Sequence, residues 1–376
     1  MEKFEIAVPC LFGLESFVSK ELKRLGIKEI SAEDGRVCFW GGYDDVIRTN
    51  LWLRTGERVL IKIAEFNAVT FEELYEGTKA AAWSRFLPKN AVFPVSGYSL
   101  KSTLASVRDC QAIIKKAAAD SLSASYGISW LPEDGAMYKL RFSILKDRVS
   151  IMLDTSGEGL HKRGYRRHSN AAPLKETIAA AMVMMSFWHF EEELADPFCG
   201  SGTIPIEAAL FKRNIAPGLL RSFAFEEFEG IKKERVAEIR EEASSCARNT
   251  PLSILASDID PSCAELTAEN ARIAGVGDAV KPFCADAVNF SRDNPCGSII
   301  CNPPYGERLS ALKECEELYA KLGSVFSKLD RWSYYILAAD EAFETHFGKR
   351  ADKRRKVYNG MIKCNVFQYF GNRPGR

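Results

Sequence analysis

Hydrophobic residues change period several times along the chain, and the changes mark its elements. Residues 4–8 alternate as a strand does, and apolar residues then recur at helical spacing from Leu14 to Leu25, where Gly26 stops them. Residues 36–40 alternate again, and 43–53 return to the helical period behind Asp44 and Asp45. This is a small unit of the β-α-β-β-α type over residues 1–60. A second unit, 61–157, opens with a strand at 58–64 and short helices at 71–76 and 81–86. A polar loop at 96–101 then feeds a helix at about 106–125. The unit closes with strands at 138–145 and 148–153 around the hairpin signal Lys146-Asp147.

Residues 158–178 form a basic linker and the first helix of a third unit, 179–376. There the pattern is α/β, with strands predicted at 194–196, 253–257, 280–283, 298–301 and 332–338. Helices lie between them, and an antiparallel edge strand follows at 363–370. Parallel strands with crossover helices are the natural arrangement for that alternation. The acidic helical stretch 223–247 interrupts it and is expected to be an insertion or a lid. No internal repeat or low-complexity segment is present.

Charge refines this picture. The net value of +1 conceals an asymmetry: residues 179–347 carry 27 acidic against 16 basic side chains, and 348–376 carry nine basic against one acidic. Lys162, Arg163, Arg166 and Arg167 add four positive charges within residues 161–168. A polyanion held by local patches fits this better than one held by the field of the whole protein. Eleven cysteines, an odd number without a CxxC pair, are expected to be reduced structural thiols, and no metal site is expected. The chain lacks a membrane-length apolar run, and its start lacks a signal-peptide layout, so a cytoplasmic location is expected.

Three stretches carry candidate chemistry. The apolar run Ile299-Ile300-Cys301 ends at Asn302-Pro303-Pro304-Tyr305, whose prolines cannot extend a strand ladder. The Asn302 carboxamide and the Pro303 carbonyl can accept hydrogens from an amino group in the plane of a ring, and Tyr305 can stack on that ring. Upstream, Asp196-Pro-Phe-Cys-Gly-Ser-Gly-Thr203 precedes a helix. Gly200 and Gly202 permit a tight turn and close ligand approach to the helix's positive end. It is not a P-loop, and the dinucleotide pattern GxGxxG is incomplete. Asp258 ends the next strand, where a carboxylate can accept two ribose hydroxyls, and Asp286 ends the one after. Asp260, beside Pro261, is better explained as a helix cap. In the second unit, Lys101 of the polar loop and Arg108 and Lys115 of the following helix can reach phosphates.

In this order and with these gaps, the three stretches resemble the S-adenosylmethionine-dependent amino methyltransferases of the class I Rossmann type. More narrowly, Arg163-Gly-Tyr-Arg166, Ala172-Pro-Leu-Lys-Glu176 and the N-terminal layout resemble bacterial THUMP-domain RNA methyltransferases that make N2-methylguanosine. The resemblance implies a Rossmann-like class I methyltransferase domain preceded by α+β ferredoxin-like and THUMP domains. It implies S-adenosyl-L-methionine as cofactor, with Asp196, Cys199, Gly200 and Gly202 around its methionine end, Asp258 at the ribose and Asp286 at the adenine, and Thr203 as a further cofactor-binding residue. Asn302, Pro303 and Tyr305 would hold the target base, and Lys101, Arg108, Lys115, Lys162, Arg163, Arg166 and Arg167 the RNA. Fusions that modify large-subunit ribosomal RNA continue into a second catalytic domain, whereas this chain ends at Arg376, so only the guanine-N2 half is implied. The RNA is left open between ribosomal and transfer RNA. Adenine-N6 methylation, glutamine methylation of release factors and a non-catalytic RNA-binding assembly factor are the alternatives.

Overall fold

The structure is a computed structural model that describes residues 3–166, 173–305, 309–360 and 362–372, with the side chains of 309–312 excepted. It is built on two seven-stranded sheets.

The first sheet contains β1 (Phe4–Pro9), β2 (Ile30–Glu33), β3 (Arg36–Gly41), β4 (Leu60–Asn67), β5 (Val95–Leu100), β6 (Leu140–Leu145) and β7 (Arg148–Asp154), in the order β2-β3-β1-β4-β7-β6-β5. β4 joins the two N-terminal units. It pairs Ile61 with Ile6 of β1 on one side and with Leu153 of β7 on the other, so one continuous sheet runs through both. Its buried face packs on α1 (Glu15–Arg24), α2 (Tyr43–Trp52), α3 (Phe71–Lys79) and α4 (Val107–Tyr126) through a single apolar cluster. Lys146 and Asp147 both have positive φ, 52° and 65°, which is the two-residue turn that follows the twist of a hairpin.

Two expectations change here. The segment expected as a polar loop, 96–101, is mostly strand: β5 adds parallel to β6 as an edge, and its alternation of Ser, Gly, Tyr, Ser and Leu suits a half-exposed pleat. The acidic stretch 223–247 is no lid. Phe223, Phe225, Phe228, Val236 and Ile239 enter the N-terminal core, and α7 (Lys233–Ser245) lies on α2, with Arg235 on Asp44 at 2.7 Å and Arg48 on Glu242 at 3.2 Å.

The second sheet has the order β10-β9-β8-β11-β12-β14-β13. Five strands, β8 (Glu193–Asp196), β9 (Ile254–Asp258), β10 (Val280–Cys284), β11 (Gly297–Cys301) and β12 (Trp332–Ala338), are parallel, and β14 (Ile362–Tyr369) is antiparallel to β12. β13 (Lys353–Asn359), too charged to read as a strand, is the outer edge, where charged side chains discourage further pairing. The order reverses beside β8, and a crevice opens at the carboxyl ends of the strands there. Around the sheet lie α5 (Glu176–Met185), α6 (Thr203–Lys212), α8 (Pro261–Ile273), α9 (Leu309–Phe326) and α10 (Phe343–Phe347).

A buried polar joint locks the halves together. Arg163, 2% exposed, donates to Glu207 of α6 and to the carbonyls of Leu53, Arg54 and Leu160, while Tyr165 donates to the same carboxylate.

Candidate active site

The crevice at the strand ends holds a cavity of about 440 Å³. Asp196, Cys199, Gly200, Thr203, Asp258, Asp286 and Asn302 all line it, so residues spread over more than a hundred positions converge as the motifs require.

Local chemistry fixes the glycine loop. Gly200 and Gly202 have φ of +51° and +82°, the left-handed region, and a Cβ on Gly202 would come within 2.8 Å of the Thr267 side chain. Gly202 caps α6 and so aims its first turn at the cavity. The loop is tied down from two elements. Gly200 N–H donates to Asp258 Oδ2 at 3.0 Å at the end of β9. From α8, Thr267 donates to Gly200 O at 3.0 Å and Asn270 to Ser201 O at 2.9 Å.

Asp196 is the deepest group. It is 1% exposed; its Oδ1 accepts from Phe198 N at 3.1 Å, and its Oδ2 has no hydrogen-bond partner among the described residues. Burial raises its carboxyl well above the ordinary range and Asp258 adds to that, against the Phe198 N–H. An unsatisfied buried acceptor of this kind is the counterpart of a cationic ligand. Asp258 takes the N–H groups of Gly200 and Asp260, and Asp286 that of Val288; an ionised carboxylate accepts about four bonds, so both keep capacity for hydroxyl and amino donors. Asp260 caps α8 through Ser262 N at 2.9 Å, as its place beside Pro261 suggests.

Asn302 follows the last residue of β11 and faces the cavity, but Pro303 and Tyr305 do not line it. Tyr305 donates its hydroxyl to Asn302 Oδ1, and its ring packs into the core that holds Cys364; burial pushes its phenol far up. In this state Tyr305 does not present a stacking face to the cavity. Apolar side chains not singled out in the sequence also line it, among them Phe198, from the Asp-Pro-Phe run, and Ile259, 68% exposed between Asp258 and Asp260. A large apolar residue exposed between two carboxylates was the available signal. Burial raises the thiols of Cys199 and Cys301, so they are packing groups and poor nucleophiles.

The basic candidates divide. Lys101 and Arg108 are exposed. Lys115 pairs with Glu133 at 2.6 Å and lies 3.5 Å from the Phe93 ring centre, and the exposed Lys162 pairs with Glu158 at 2.6 Å. Arg163 corrects the expectation of a phosphate contact, because its guanidinium is buried and spent on Glu207 and three carbonyls. Arg166 also points inward, donating to Thr203 Oγ1 at 2.6 Å and to Leu174 O at 3.1 Å beside the glycine loop. Arg167 lies outside the described residues. Among the described residues no His, Cys, Asp and Glu cluster is placed to hold a metal, and no helix is long and apolar enough to cross a membrane.

Known proteins share this fold. The RMKL-like methyltransferase domain family matches residues 163–368, the RlmL ferredoxin-like domain 5–60 and the THUMP domain 68–154. This chain belongs to that methyltransferase family. It is 46% identical over its whole length, and over 98% of the relative's, to a protein named "Putative RNA methyltransferase YpsC" in Bacillus subtilis (strain 168). It is 31% identical over 97% of its length to ribosomal RNA large subunit methyltransferase K/L of Shewanella baltica (strain OS155 / ATCC BAA-1091), of which it spans about half, 53%. A structure described as "a putative methyltransferase complexed with SAH" superposes with a TM-score of 0.94 at 41% identity, covering 99% of both chains. A structure described as a predicted N6-adenine-specific DNA methylase from Listeria monocytogenes str. 4b F2365 gives 0.94 at 45% identity, covering 99% of this chain and 97% of that one.

The methyltransferase's cofactor is S-adenosyl-L-methionine, and the cavity suits it: a glycine turn at a helix N-terminus, an unpartnered buried carboxylate oxygen on Asp196, and Asp258 and Asp286 on the neighbouring strands. Bound there, it would supply a sulfonium methyl group for transfer.

Proposed function

We propose that the enzyme methylates the exocyclic N2 of a guanosine in structured ribosomal or transfer RNA. The observation that carries this is the position of the Asn302 carboxamide, at the end of β11 in the same cavity as Asp196, Gly200 and Asp258. A guanine amino group is planar and its lone pair is delocalised. Asn302 Oδ1 accepts one of its hydrogens, holds the nitrogen toward the donor methyl, and favours the tetrahedral form that develops in transfer. The N2 lone pair would form the new N–C bond as the C–S bond breaks with its electrons left on sulfur, and one N2 proton would pass to solvent water. Raised cysteine thiols at the site fit a nitrogen target, which needs no covalent intermediate.

In a duplex that amino group is paired, so the base enters the cavity unstacked. The THUMP match and the exposed Lys101, Arg108 and Lys162 support RNA as the substrate, recognised largely by shape. Adenine N6 is a second planar amino group that the same clamp accepts, and the description of the Listeria structure favours keeping that reading. Mass-spectrometric nucleoside analysis of ribosomal and transfer RNA from cells lacking the protein separates them. Loss of N2-methylguanosine from one fraction supports the proposal. Loss of N6-methyladenosine alone transfers it to adenine, and an unchanged profile in both fractions rejects it.

A further inference from the structure

A second cavity, of about 610 Å³, lies at the far end of α6 from the glycine loop, where α1, α2, α6 and α7 meet. The ten-residue helix carries Lys212 nine positions beyond Thr203, roughly 14 Å along its axis, so the cavity is no extension of the cofactor site. Its charged lining is Arg24, Arg48, Arg54, Lys212 and Arg248 against Glu21 and Glu242.

Arg54 is the telling residue. It is 4% exposed, and its Nη2 donates to the carbonyls of Ile215 at 2.6 Å and Leu210 at 3.3 Å, yet its Nη1 has no hydrogen-bond partner among the described residues. A buried guanidinium nitrogen without an acceptor is costly unless a ligand supplies one. Neither acidic neighbour does. Glu21 is turned to the backbone N–H groups of Arg54 and Thr55, and Glu242 is held at the rim by Arg48 at 3.2 Å. Lys212 is engaged by the Trp188 carbonyl. Arg24 and Arg248 are exposed, with no ion pair among the described residues, and the Phe211 ring carries the guanidinium groups of Arg24 and Arg54 at 5.7 and 5.6 Å.

The geometry points to a phosphate-binding site: Arg54 Nη1 takes one anionic oxygen from within, and Arg24 and Arg248 close on the others from the surface. Guanidinium forks match phosphate oxygens, and a partly enclosed site sharpens their field. The phosphate belongs either to the RNA backbone or to a free phosphorylated molecule. The inference stands apart from the methyl-transfer reading.

Calorimetric titration of the full-length protein with inorganic pyrophosphate tests it, comparing wild type with the surface double variant Arg24→Gln/Arg248→Gln and with Arg54→Lys. Wild type binds, and the double variant weakens binding by about tenfold or more through loss of two charge-assisted contacts, while S-adenosylhomocysteine affinity is unchanged in all three. Should Arg54→Lys fail to fold, the double variant still decides. A parallel titration with short single-stranded RNA separates the sources. A matching loss of affinity, with a shallower salt dependence, assigns the phosphate to RNA; unaltered RNA binding assigns it to a free anion. Absence of pyrophosphate binding to wild type, or equal binding to the double variant, overturns the site however RNA behaves.

Discussion

The hydroxyl of Tyr305 donates its hydrogen to Oδ1 of Asn302, the same oxygen that a substrate amino group would use. The carboxamide is therefore already occupied from within the chain, and a base must exchange with the phenol to be held. Asn302→Ala is expected to lower kcat by roughly 10²–10³, the loss usual for one donor or acceptor aimed at a transition state, while cofactor affinity stays nearly unchanged. Tyr305→Phe is expected to keep transfer within about fivefold of wild type, since one neutral hydrogen bond is worth about 1 kcal/mol. Single-turnover methyl transfer with labelled cofactor measures both; equal loss of cofactor binding and transfer in Asn302→Ala would refute the clamp.

Asp196 gives a pH dependence to cofactor binding. Burial, with Asp258 nearby, raises its carboxyl well above the ordinary value, so the free protein retains that proton at a pH where an exposed aspartate has lost it. A cationic ligand selects the ionised form. Affinity should therefore rise with pH by up to about tenfold per unit until the raised pKa is passed, then level, with proton release on binding below it. Asp196→Asn should bind weakly and without that slope. Calorimetry in buffers of different ionisation enthalpy reads the released proton directly.

Glu57 ties the end of the first unit to the linker and to α5. Burial alone would raise its carboxyl, but His161, Lys175 and Thr177 outweigh this and bring it from 4.5 down to about 2. A depressed carboxylate stabilises the fold above its unfolded pKa and loses that contribution as pH falls through the folded one. Stability should drop by about 2–3 kcal/mol between pH 4.5 and 2 on account of this group. Urea unfolding of wild type against Glu57→Gln at pH 6 and pH 3 checks it: the difference between the two proteins should be largest at the higher pH and shrink at the lower.

Arg163 should matter for folding and not for the salt dependence of RNA binding. Arg163→Met leaves Glu207, 0% exposed, without its countercharge, and removing one partner of a buried pair costs about 3–5 kcal/mol. Chemical denaturation measures the loss. A fully stable Arg163→Met with a reduced salt slope would restore the residue as a phosphate contact.

Where the sequence spoke clearly, it did so through local chemistry. The Lys146-Asp147 hairpin, the cap at Asp260 and the glycine turn at 200–202 depend on residues within a few positions, and each forms as its composition demands. The convergence of Asp196, Asp258, Asp286 and Asn302 was legible because parallel strands deliver their carboxyl ends to one edge. What escaped was set by distant partners. Arg163 looks like any surface arginine in a basic run until Glu207, 44 residues on, draws it inward. The 223–247 stretch is acidic on one side, but its phenylalanines find their cover in the N-terminal core, where Phe228 stacks on Tyr138 at 4.4 Å. Lys353, Arg354, Arg355 and Lys356 conceal a strand because an edge has a partner on one side only.

The bonding of β4 to both β1 and β7 has a practical consequence for dissecting the molecule. A boundary drawn near residue 60 cuts through a ladder, not a tether: residues 1–60 alone would strip β1 of a neighbour and leave its edge adhesive, and the remainder would lose the flank that orders β4. Whatever the two amino-terminal units grip, they grip as an undivided slab, and any grafting onto another catalytic body has to transplant both together.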